Sequence, residues 1–343
     1  MQRNRRENRA SGRVTLDDVA LAAGVSRITV SRALRGERQV APDLAKRAIA
    51  AANRLGYVPD PAARALASSK SSHVAILIPL LSNQLFVDLL EGAQQTLLPA
   101  GYQTLMGVTH YNAIEEEQLL RGQLLHRPAG LLITGNQQPE STQHLIRQSG
   151  VPSVHLMDIE EQADTFSVGF SQQSAARAMT QHLIDSGRRR IAFAAAQLDP
   201  RTLQRAEGYR ACLQQAGLHD PTLEWLNPAP SSMKVGAALF EQIVGLRPRV
   251  DAVFFCNDDL ALGGLLAAQR LGISVPQQIA VAGFNDLPGG EEFSPSLTTI
   301  KTPRWKIGVE AANMLLTLMR GERPTQAHVD LGFELIVRQS TLG

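Results

Sequence analysis

The chain has 343 residues, of which 44% are hydrophobic and 19% are charged, with two cysteines and a formal net charge of +2. This composition is typical of a globular protein of two or three domains and excludes collagen-like and disordered chains. No apolar run approaches the roughly 20 residues of a membrane span, and the basic N-terminus leads into no apolar stretch. Two cysteines cannot build a disulfide framework. We therefore expect a cytoplasmic protein, neither membrane-integral nor secreted.

Basic residues are concentrated at the N-terminal end. Residues 1–70 contain 14 Lys and Arg against 6 Asp and Glu, whereas the remaining residues contain 20 against 26. A basic module followed by a mildly acidic body predicts that the first module meets a polyanion. For residues 1–13 alone, a solvated basic tail is the simpler interpretation.

Residues 16–23, LDDVALAA, carry apolar side chains at helical spacing. Thr15 with Asp18 three positions later resembles a capping box, and Gly24 can end the helix in the left-handed conformation. This segment is predicted to be a short helix.

Two further helices are predicted after the first one. Ser26 can cap a helix over residues 27–34, and Val25 can fill the corner between this helix and the one before it. A third helix spans residues 42–55, with proline at its first position, and it closes at Gly56.

Two short helices joined by a tight turn with glycine are typical of a DNA-binding helix-turn-helix, although other three-helix domains show the same pattern. The first turn of the second helix is the part that reaches base edges in the major groove. Arg27 can donate to guanine and Ile28 can contact a thymine methyl group. Neighbouring polar and basic side chains can contact phosphates.

Residues 14–36, VTLDDVALAAGVSRITVSRALRG, and residues 55–68, LGYVPDPAARALAS, resemble the DNA-binding headpiece and hinge of the lactose-repressor (LacI/GalR) family of bacterial regulators. The hinge segment is too short for a stable isolated helix. The resemblance implies that hinge helices from two subunits enter the minor groove, where Leu66 wedges open a base step. The candidate DNA-binding residues are Thr15, Leu16, Ser26, Arg27, Ile28, Thr29, Ser31, Arg32, Arg35, Tyr57, Arg64 and Leu66.

From His73 onward, short apolar runs alternate with helical stretches. Such runs fit strands that are buried on both faces of a parallel sheet, and their number suggests a doubly wound α/β architecture with two sheets. The predicted strands are residues 74–79, 102–108, 130–134, 151–157, 190–196, 252–256 and 279–284.

Polar residues follow several of these strands, at the place where ligands bind in such folds. Convergent carboxylate, amide and guanidinium groups suit a polyhydroxylated ligand, and Arg201 and Arg205 can also pair with a carboxylate. For Asp199, Asp259 and Asp286, an interpretation as helix caps or turn residues is equally good.

The resemblance extends over the body and implies two periplasmic-binding-protein-like lobes, about 73–170 and 171–299, with C-terminal segments crossing back between them. Within the family, the motifs LMD, VGF, CNDDLA and DLGF are most similar to those of gluconate-type repressors, which implies gluconate or a ketogluconate as effector. Asn285 stands where many relatives carry Asp. The candidate effector-binding residues are Ser82, Asn83, Asp158, Phe170, Arg201, Arg205, Asn257 and Asn285.

The sequence therefore predicts an all-α helix-turn-helix headpiece and an α/β two-lobed periplasmic-binding-protein-like effector domain. The predicted division is a basic tail over residues 1–13, a DNA-binding domain over residues 14–58, a hinge helix and linker over residues 59–72, and an effector-binding and dimerisation domain over residues 73–343.

The leading functional hypothesis is a transcriptional repressor that a sugar acid releases from a near-palindromic operator on double-stranded DNA. The expected assembly is a homodimer, with a tetramer left open, and no membrane partner is expected. We find no phosphate loop, nucleophile elbow or histidine pair at metal-ligand spacing, so we expect no enzyme activity, cofactor or metal. The alternatives are another sugar effector, control by activation or by a corepressor, and a sugar-binding or sugar-converting protein.

Overall fold

The computed structural model describes residues 14–36, 39–58, 71–81, 84–135, 137–159 and 164–342, and the chain divides into two compact units, Met1–Ser71 and Ser72–Gly343. The helices are α1 (Leu16–Ala23), α2 (Arg27–Leu34), α3 (Pro42–Leu55), α4 (Gln84–Leu97), α5 (Ala113–Leu125), α6 (Glu140–Ser149), α7 (Gln172–Asp185), α8 (Pro200–Gln215), α9 (Met233–Val244), α10 (Asp258–Leu271) and α11 (Arg304–Met319). The strands are β1 (His73–Ile78), β2 (Gln103–Val108), β3 (Gly130–Thr134), β4 (Ser153–Leu156), β5 (Ser167–Gly169), β6 (Ile191–Ala196), β7 (Glu224–Asn227), β8 (Ala252–Phe255), β9 (Ala280–Ala282), β10 (Thr299–Lys301), β11 (His328–Asp330) and β12 (Glu334–Ile336).

The first unit packs α1, α2 and α3 around a small core of mostly alanine and valine side chains. The predicted capping box is confirmed, because the Thr15 backbone N donates to Asp18 Oδ2 at 2.9 Å while the Asp18 backbone N donates to Thr15 Oγ1 at 3.4 Å. Ser26 caps α2 as predicted, and its hydroxyl oxygen accepts a bond from the Thr29 backbone N at 3.1 Å. Local signals in the sequence therefore set the start of both helices.

Gly24 makes the sharp turn between α1 and α2, and its φ of +63° lies in the left-handed region that favours glycine. A Cβ atom here would also lie 2.8 Å from Nη2 of Arg47. That nitrogen of Arg47, which belongs to α3, donates to the Ala23 carbonyl oxygen at 2.7 Å. The turn is thus held by a distant arginine that the sequence pattern does not reveal.

The second unit contains two parallel sheets, which agrees with the predicted two-lobed α/β architecture. Lobe 1 is built on a sheet with the strand order β11-β5-β4-β3-β1-β2, and lobe 2 on a sheet with the order β7-β6-β8-β9. All strand pairs within these two sheets are parallel. The carboxyl ends of their strands therefore carry the loops where ligands bind in such folds.

The C-terminal part of the chain returns from lobe 2 to lobe 1. Strand β11 joins the edge of the lobe 1 sheet beside β5, and β10 pairs with β12 in a separate antiparallel ribbon. Helix α11 packs closely on α4, because a Cβ on Gly92 would lie 2.3 Å from the Trp305 carbonyl oxygen and one on Gly308 would lie 2.1 Å from that of Leu89. The N-terminus of α11 is thereby fixed against lobe 1.

Each of the predicted strands is present, with bounds shifted by at most a few residues. The sequence pattern missed β5, β7 and the strands after β9, which are only three or four residues long. Such short segments show no readable periodicity, and long-range pairing decides their conformation. Within the described residues, no helix is both long and apolar enough to cross a bilayer.

Candidate functional site

The exposed face of α2 carries the side chains for which base contacts are predicted. Ile28 is 65% exposed, a large exposure for an apolar side chain, and the Arg27 side chain is 67% exposed. Arg27 Nη1 lies 3.6 Å from Asp17 Oδ2 on α1, in an exposed ion pair that stabilises the fold little. Arg32 and Arg35 are exposed as well.

Other residues of the predicted DNA-binding set have structural roles too. Thr15 closes the capping box of α1, and the hydroxyls of Ser26 and Thr29 lie 2.8 Å apart at the start of α2. Leu16 and Tyr57 are partly buried against the core of the headpiece, and Ser31 is half-buried. The predictions for Arg64 and Leu66 lie outside the described residues.

In the second unit, several predicted effector residues lie near one another, because Arg205 contacts Cys256 and Phe284, the residues directly before Asn257 and Asn285, and the negative potential of Asp158 acts on Arg201. We call this set the interlobe cluster and define it by Asp158, Arg201, Arg205, Asn257 and Asn285. The predicted contacts of Ser82 and Asn83 lie outside the described residues.

Arg205 is the most enclosed cation of the interlobe cluster, with 6% of the residue exposed. Its Nε donates to Gln172 Oε1 at 2.8 Å, its Nη1 donates to the Cys256 carbonyl oxygen at 2.6 Å, and its guanidinium carbon lies 3.8 Å from the ring centroid of Phe284. Burial lowers its pKa, although a guanidinium stays charged in proteins. Among the described residues, Arg205 forms no ion pair with a carboxylate, and its Nη2 has no hydrogen-bond partner.

Arg201 lies one turn earlier on α8 and reaches lobe 1. Its guanidinium carbon is 5.7 Å from the ring centroid of Phe86 and 5.8 Å from that of Tyr111. Its Nε lies 3.4 Å from Asp199 Oδ1. Burial disfavours the charge of Arg201, but the negative potentials of Asp199, Tyr111 and Asp158 outweigh it and raise the pKa.

Asp158 is only 2% exposed, and Gln204 Nε2 lies 3.4 Å from its Oδ2. The backbone of Asp158 leaves no room for a side chain at Gly169 of the VGF motif, because a Cβ atom there would lie 2.4 Å from the Asp158 backbone N. Phe170 is fully buried and stacks on Phe284 with ring centroids 6.3 Å apart. Its contact with a ligand remains a prediction.

Asn257 is the N-cap of α10, and its Oδ1 accepts a bond from the Leu260 backbone N at 3.0 Å. Its Nδ2 donates to Ser231 Oγ at 2.8 Å. Asp258, the next residue, is buried and faces lobe 2, where it accepts bonds from Thr299 Oγ1 and the Leu287 backbone N, both at 2.7 Å. Burial raises the pKa of the Asp258 carboxyl to about 6. Asp258 therefore braces a loop and does not point toward the other lobe.

Asn285 is held in an unusual backbone conformation, with φ at +113°. Arg304 Nη1 donates to its carbonyl oxygen, and Thr302 Oγ1 lies 3.4 Å from the same oxygen. Arg304 Nε also donates to Asp88 Oδ2 on α4 at 2.8 Å. The side-chain oxygen of Asn285 is buried and has no partner among the described residues. Arg304 thus connects lobe 1 to the residue that presents this free acceptor.

The sequence left Asp199, Asp259 and Asp286 open as helix caps or turn residues, and the cap interpretation holds for Asp199. Asp199 is the N-cap of α8 and accepts a bond from the Arg201 backbone N at 2.9 Å. Asp286 forms an ion pair with Arg338 Nη1 at 2.8 Å. The half-buried Asp259 is in the first turn of α10, and burial raises its pKa.

Sequence reasoning missed Gln172, which supports Arg205 and whose Nε2 donates to the Met157 carbonyl oxygen at 2.9 Å. It follows the short strand β5, so no predicted strand end pointed to it. It also missed Arg304, because nothing in its neighbourhood distinguishes it from a surface residue at a helix start. Within the described residues, no cluster of three His, Cys, Asp or Glu side chains is arranged to hold a metal ion.

Two family models match the chain, one in each compact unit. The model for bacterial regulatory proteins of the lacI family matches residues 15–60, and the model for a periplasmic binding protein-like domain matches residues 180–341.

Known regulators are similar to the chain over most of its length. It is 51% identical over 339 residues to the HTH-type transcriptional regulator GntR of Pseudomonas aeruginosa, with 99% of both chains covered. The transcription regulator GntR from Chromobacterium violaceum has a solved structure with a TM-score of 0.77 and 48% identity, covering 79% of this chain and 100% of that one. The lac repressor dimer bound to operator and the anti-inducer ONPF gives a TM-score of 0.85 at 25% identity, covering 96% and 100%.

Proposed function

Because the chain belongs to the LacI family of bacterial regulatory proteins, we propose that a small sugar acid of the gluconate or 2-ketogluconate type releases it from its operator. It is a DNA-binding transcriptional repressor and not an enzyme. Regulators of this family bind operator DNA and a small-molecule effector and act as dimers. We further propose that the protein acts in the cytoplasm.

We assign operator binding to residues 14–58 and to the hinge over residues 59–72. The exposed first turn of α2 supports major-groove readout by Arg27 and Ile28, because its side chains are free of the core. The remaining predicted DNA-binding residues would hold the backbone phosphates or, for Leu66, the minor groove. Lys and Arg contacts to phosphate would make the affinity fall steeply with salt.

We assign effector binding to the domain over residues 73–343, and the observation that carries this assignment is the environment of Arg205. A buried charge is costly unless a counter-charge or hydrogen bonds compensate it. Among the described residues, Arg205 has only neutral hydrogen-bond partners and an unused Nη2. A carboxylate on the effector would supply the missing negative charge, and a guanidinium can bind it with two parallel bonds.

The other members of the interlobe cluster suit the hydroxyl groups of the same ligand. Asp158 and Asn285 present buried oxygen acceptors, and that of Asn285 has no partner within the described part of the chain. Asn257 keeps little hydrogen-bonding capacity for a ligand. Its Oδ1 accepts the capping bond of α10 and its Nδ2 donates to Ser231. An acid with a polyhydroxylated chain satisfies both the cation and these acceptors.

Effector binding would act on DNA through the hinge. From its sequence, the hinge segment is expected to be too short for a stable isolated helix, and we propose that it becomes helical only where two subunits hold its two copies at the right separation. An acid that draws the lobes together would shift the subunits and separate the hinges. Coupling of this kind is typically about 1–3 kcal/mol per effector.

Calorimetry with the full-length protein tests the effector assignment. We expect D-gluconate or 2-keto-D-gluconate to bind, and the uncharged glucitol to bind at least about 100-fold more weakly because it lacks the carboxylate. Gel shifts with operator DNA should show release at the same acid concentrations. Equal binding of glucitol, or an operator complex that neither acid dissociates, would contradict the proposal.

A further inference from the structure

Three polar side chains on lobe 1 lie close to the interlobe cluster, and the assignment above does not use them. Tyr111 follows the carboxyl end of β2, Glu116 is in the first turn of α5, and Gln138 lies in the loop after β3. Because β1 pairs with both β2 and β3 in parallel, the loops after these strands lie at one edge of the sheet.

Two of these side chains carry a buried oxygen that has no hydrogen-bond partner among the described residues. These atoms are Oε1 of Glu116 and Oε1 of Gln138. Gln138 is only 8% exposed, and its Nε2 is directed at the carbonyl oxygens of Gly135 at 3.2 Å and Thr134 at 3.4 Å. The amide is therefore oriented by the backbone, and its oxygen remains as an unused acceptor. Buried acceptors are nearly always satisfied, so each points to a missing donor.

Arg201 joins this group to the interlobe cluster. The Tyr111 ring lies against its guanidinium group, with 5.8 Å between the ring centroid and the guanidinium carbon. Burial raises the pKa of the Glu116 carboxyl to about 6, while the nearby amide of Gln138 and the positive potential of Arg201 act against this increase. The lobe 1 side chains and the arginines of α8 are thus parts of one continuous polar region.

The charges around the two acceptors restrict what can bind them. A cationic group is disfavoured by the neighbouring guanidinium of Arg201, and an anionic group is disfavoured by the carboxylate of Glu116. Neutral hydroxyl groups satisfy acceptors without adding charge. The partner that this environment favours is therefore a hydroxyl donor.

We propose that Glu116 and Gln138, with Tyr111 beside them, form a lobe 1 subsite that binds the hydroxyl groups at the far end of the effector's carbon chain. This inference rests on the proposed function, in which Arg205 holds the carboxylate at the other end. The subsite makes binding selective for the chain length of the acid, because only a sufficiently long polyol chain reaches from Arg205 to Glu116 and Gln138.

Aldonic acids of decreasing length test the subsite by calorimetry with the full-length protein. The series consists of D-gluconate with six carbons, D-ribonate with five and D-erythronate with four. We expect the wild-type protein to bind gluconate at least about 10-fold more tightly than erythronate, since each unsatisfied buried acceptor weakens binding by about that factor.

The double variant Glu116→Ala with Gln138→Ala should lose most of this discrimination. Its affinity for gluconate should fall by about 10-fold or more, and its affinity for erythronate should stay within about twofold of the wild-type value. The single variant Glu116→Gln keeps one acceptor oxygen at this position, so it should retain more of the preference for gluconate over erythronate than the double variant does. Glu115→Ala is the matched control, because Glu115 is in the same turn but is half-exposed and paired with His110.

Two results would overturn the subsite while leaving the proposed function intact. One is wild-type binding that is independent of chain length, which is measured without any variant. The other is a double variant that weakens all three acids equally. A wild-type protein that binds none of the acids overturns the proposed function, and the subsite with it.

Discussion

The headpiece and the effector domain place their candidate binding side chains in opposite environments. On α2, Arg27 and Ile28 are about two-thirds exposed, whereas between the lobes Arg205 is 6% exposed and Asp158 only 2%. DNA brings its own dense negative charge to an exposed surface, so the headpiece needs no enclosed site. A small ligand must be surrounded, and its binding groups are therefore also packing groups. Substitutions of Arg27 and Ile28 should therefore change binding alone, whereas substitutions of Arg205 and Asp158 should change binding together with packing.

The strongest test of this comparison is Arg205→Met. Without its guanidinium, the carboxylate of the effector is buried without a counter-charge, so we expect gluconate affinity to fall by about 100-fold or more. Titration calorimetry measures this loss, and gel shifts should show that gluconate no longer dissociates the operator complex. Arg210→Met is the matched control on the same helix, because Arg210 is half-exposed and pairs with Glu224. A loss of operator affinity as large as the loss of effector affinity would contradict a separate effector site.

A second test compares two ion pairs of the effector domain that differ in burial. Arg304 and Asp88 are largely buried, whereas Arg270 and Glu241 are about half-exposed. A double-mutant cycle with Arg304→Gln and Asp88→Asn should give a coupling of about 1.5–3 kcal/mol in the free energy of unfolding. The same cycle for Arg270 and Glu241 should give less than about 1 kcal/mol, because water screens an exposed pair.

The Arg304 variant also affects the cleft. Since Arg304 donates to the Asn285 carbonyl oxygen, Arg304→Gln should weaken gluconate binding, whereas Arg270→Gln should not. Similar coupling energies for the two pairs, measured by denaturant unfolding, would show that burial does not distinguish them.

In the headpiece, Arg27→Ala should separate binding from stability. We expect a loss of about 1–3 kcal/mol in discrimination at one base pair of the operator, because one side chain reads one base edge. The free energy of unfolding should change by less than about 0.5 kcal/mol, since the Arg27–Asp17 pair is exposed. Competition gel shifts with single-base operator variants measure the first quantity. A uniform loss of affinity for all operator variants would show that Arg27 contacts a phosphate and does not read a base.

The smallest expected effect concerns the helix cap of the headpiece. Thr15→Ala removes the hydroxyl that accepts from the Asp18 backbone N, and it should lower the free energy of unfolding of the headpiece by about 1 kcal/mol. Thr15→Ser keeps the hydroxyl and should be close to the wild-type protein. Circular dichroism on denaturant titration distinguishes the two, and an equal loss in both variants would exclude the cap as the cause.

Much of the fold is predictable because its signals are local. The helices of the headpiece begin and end at the predicted residues, since Thr15, Ser26 and Gly56 act on their own backbone neighbours. Strands β1, β3, β6 and β8 could be predicted because a strand buried on both faces must be apolar throughout, whereas β2 lies at a sheet edge and is largely exposed. Strands of three residues, such as β5 and β10, have too little sequence to show a pattern, whereas β9 could be predicted because it lies within a longer apolar run, residues 279–284.

For the candidate site, the order of residues along the chain is enough to show which polar residue types follow the strands, and therefore where a ligand site is to be sought. The folded structure shows which of these polar groups remain available to a ligand. Asp258 accepts a bond from Thr299, 41 positions along the chain, and Arg205 is oriented by Gln172 across 33 positions. A hydrogen-bond partner far along the chain leaves no local pattern, so only the folded chain distinguishes an acceptor already satisfied by the protein from one left for a ligand.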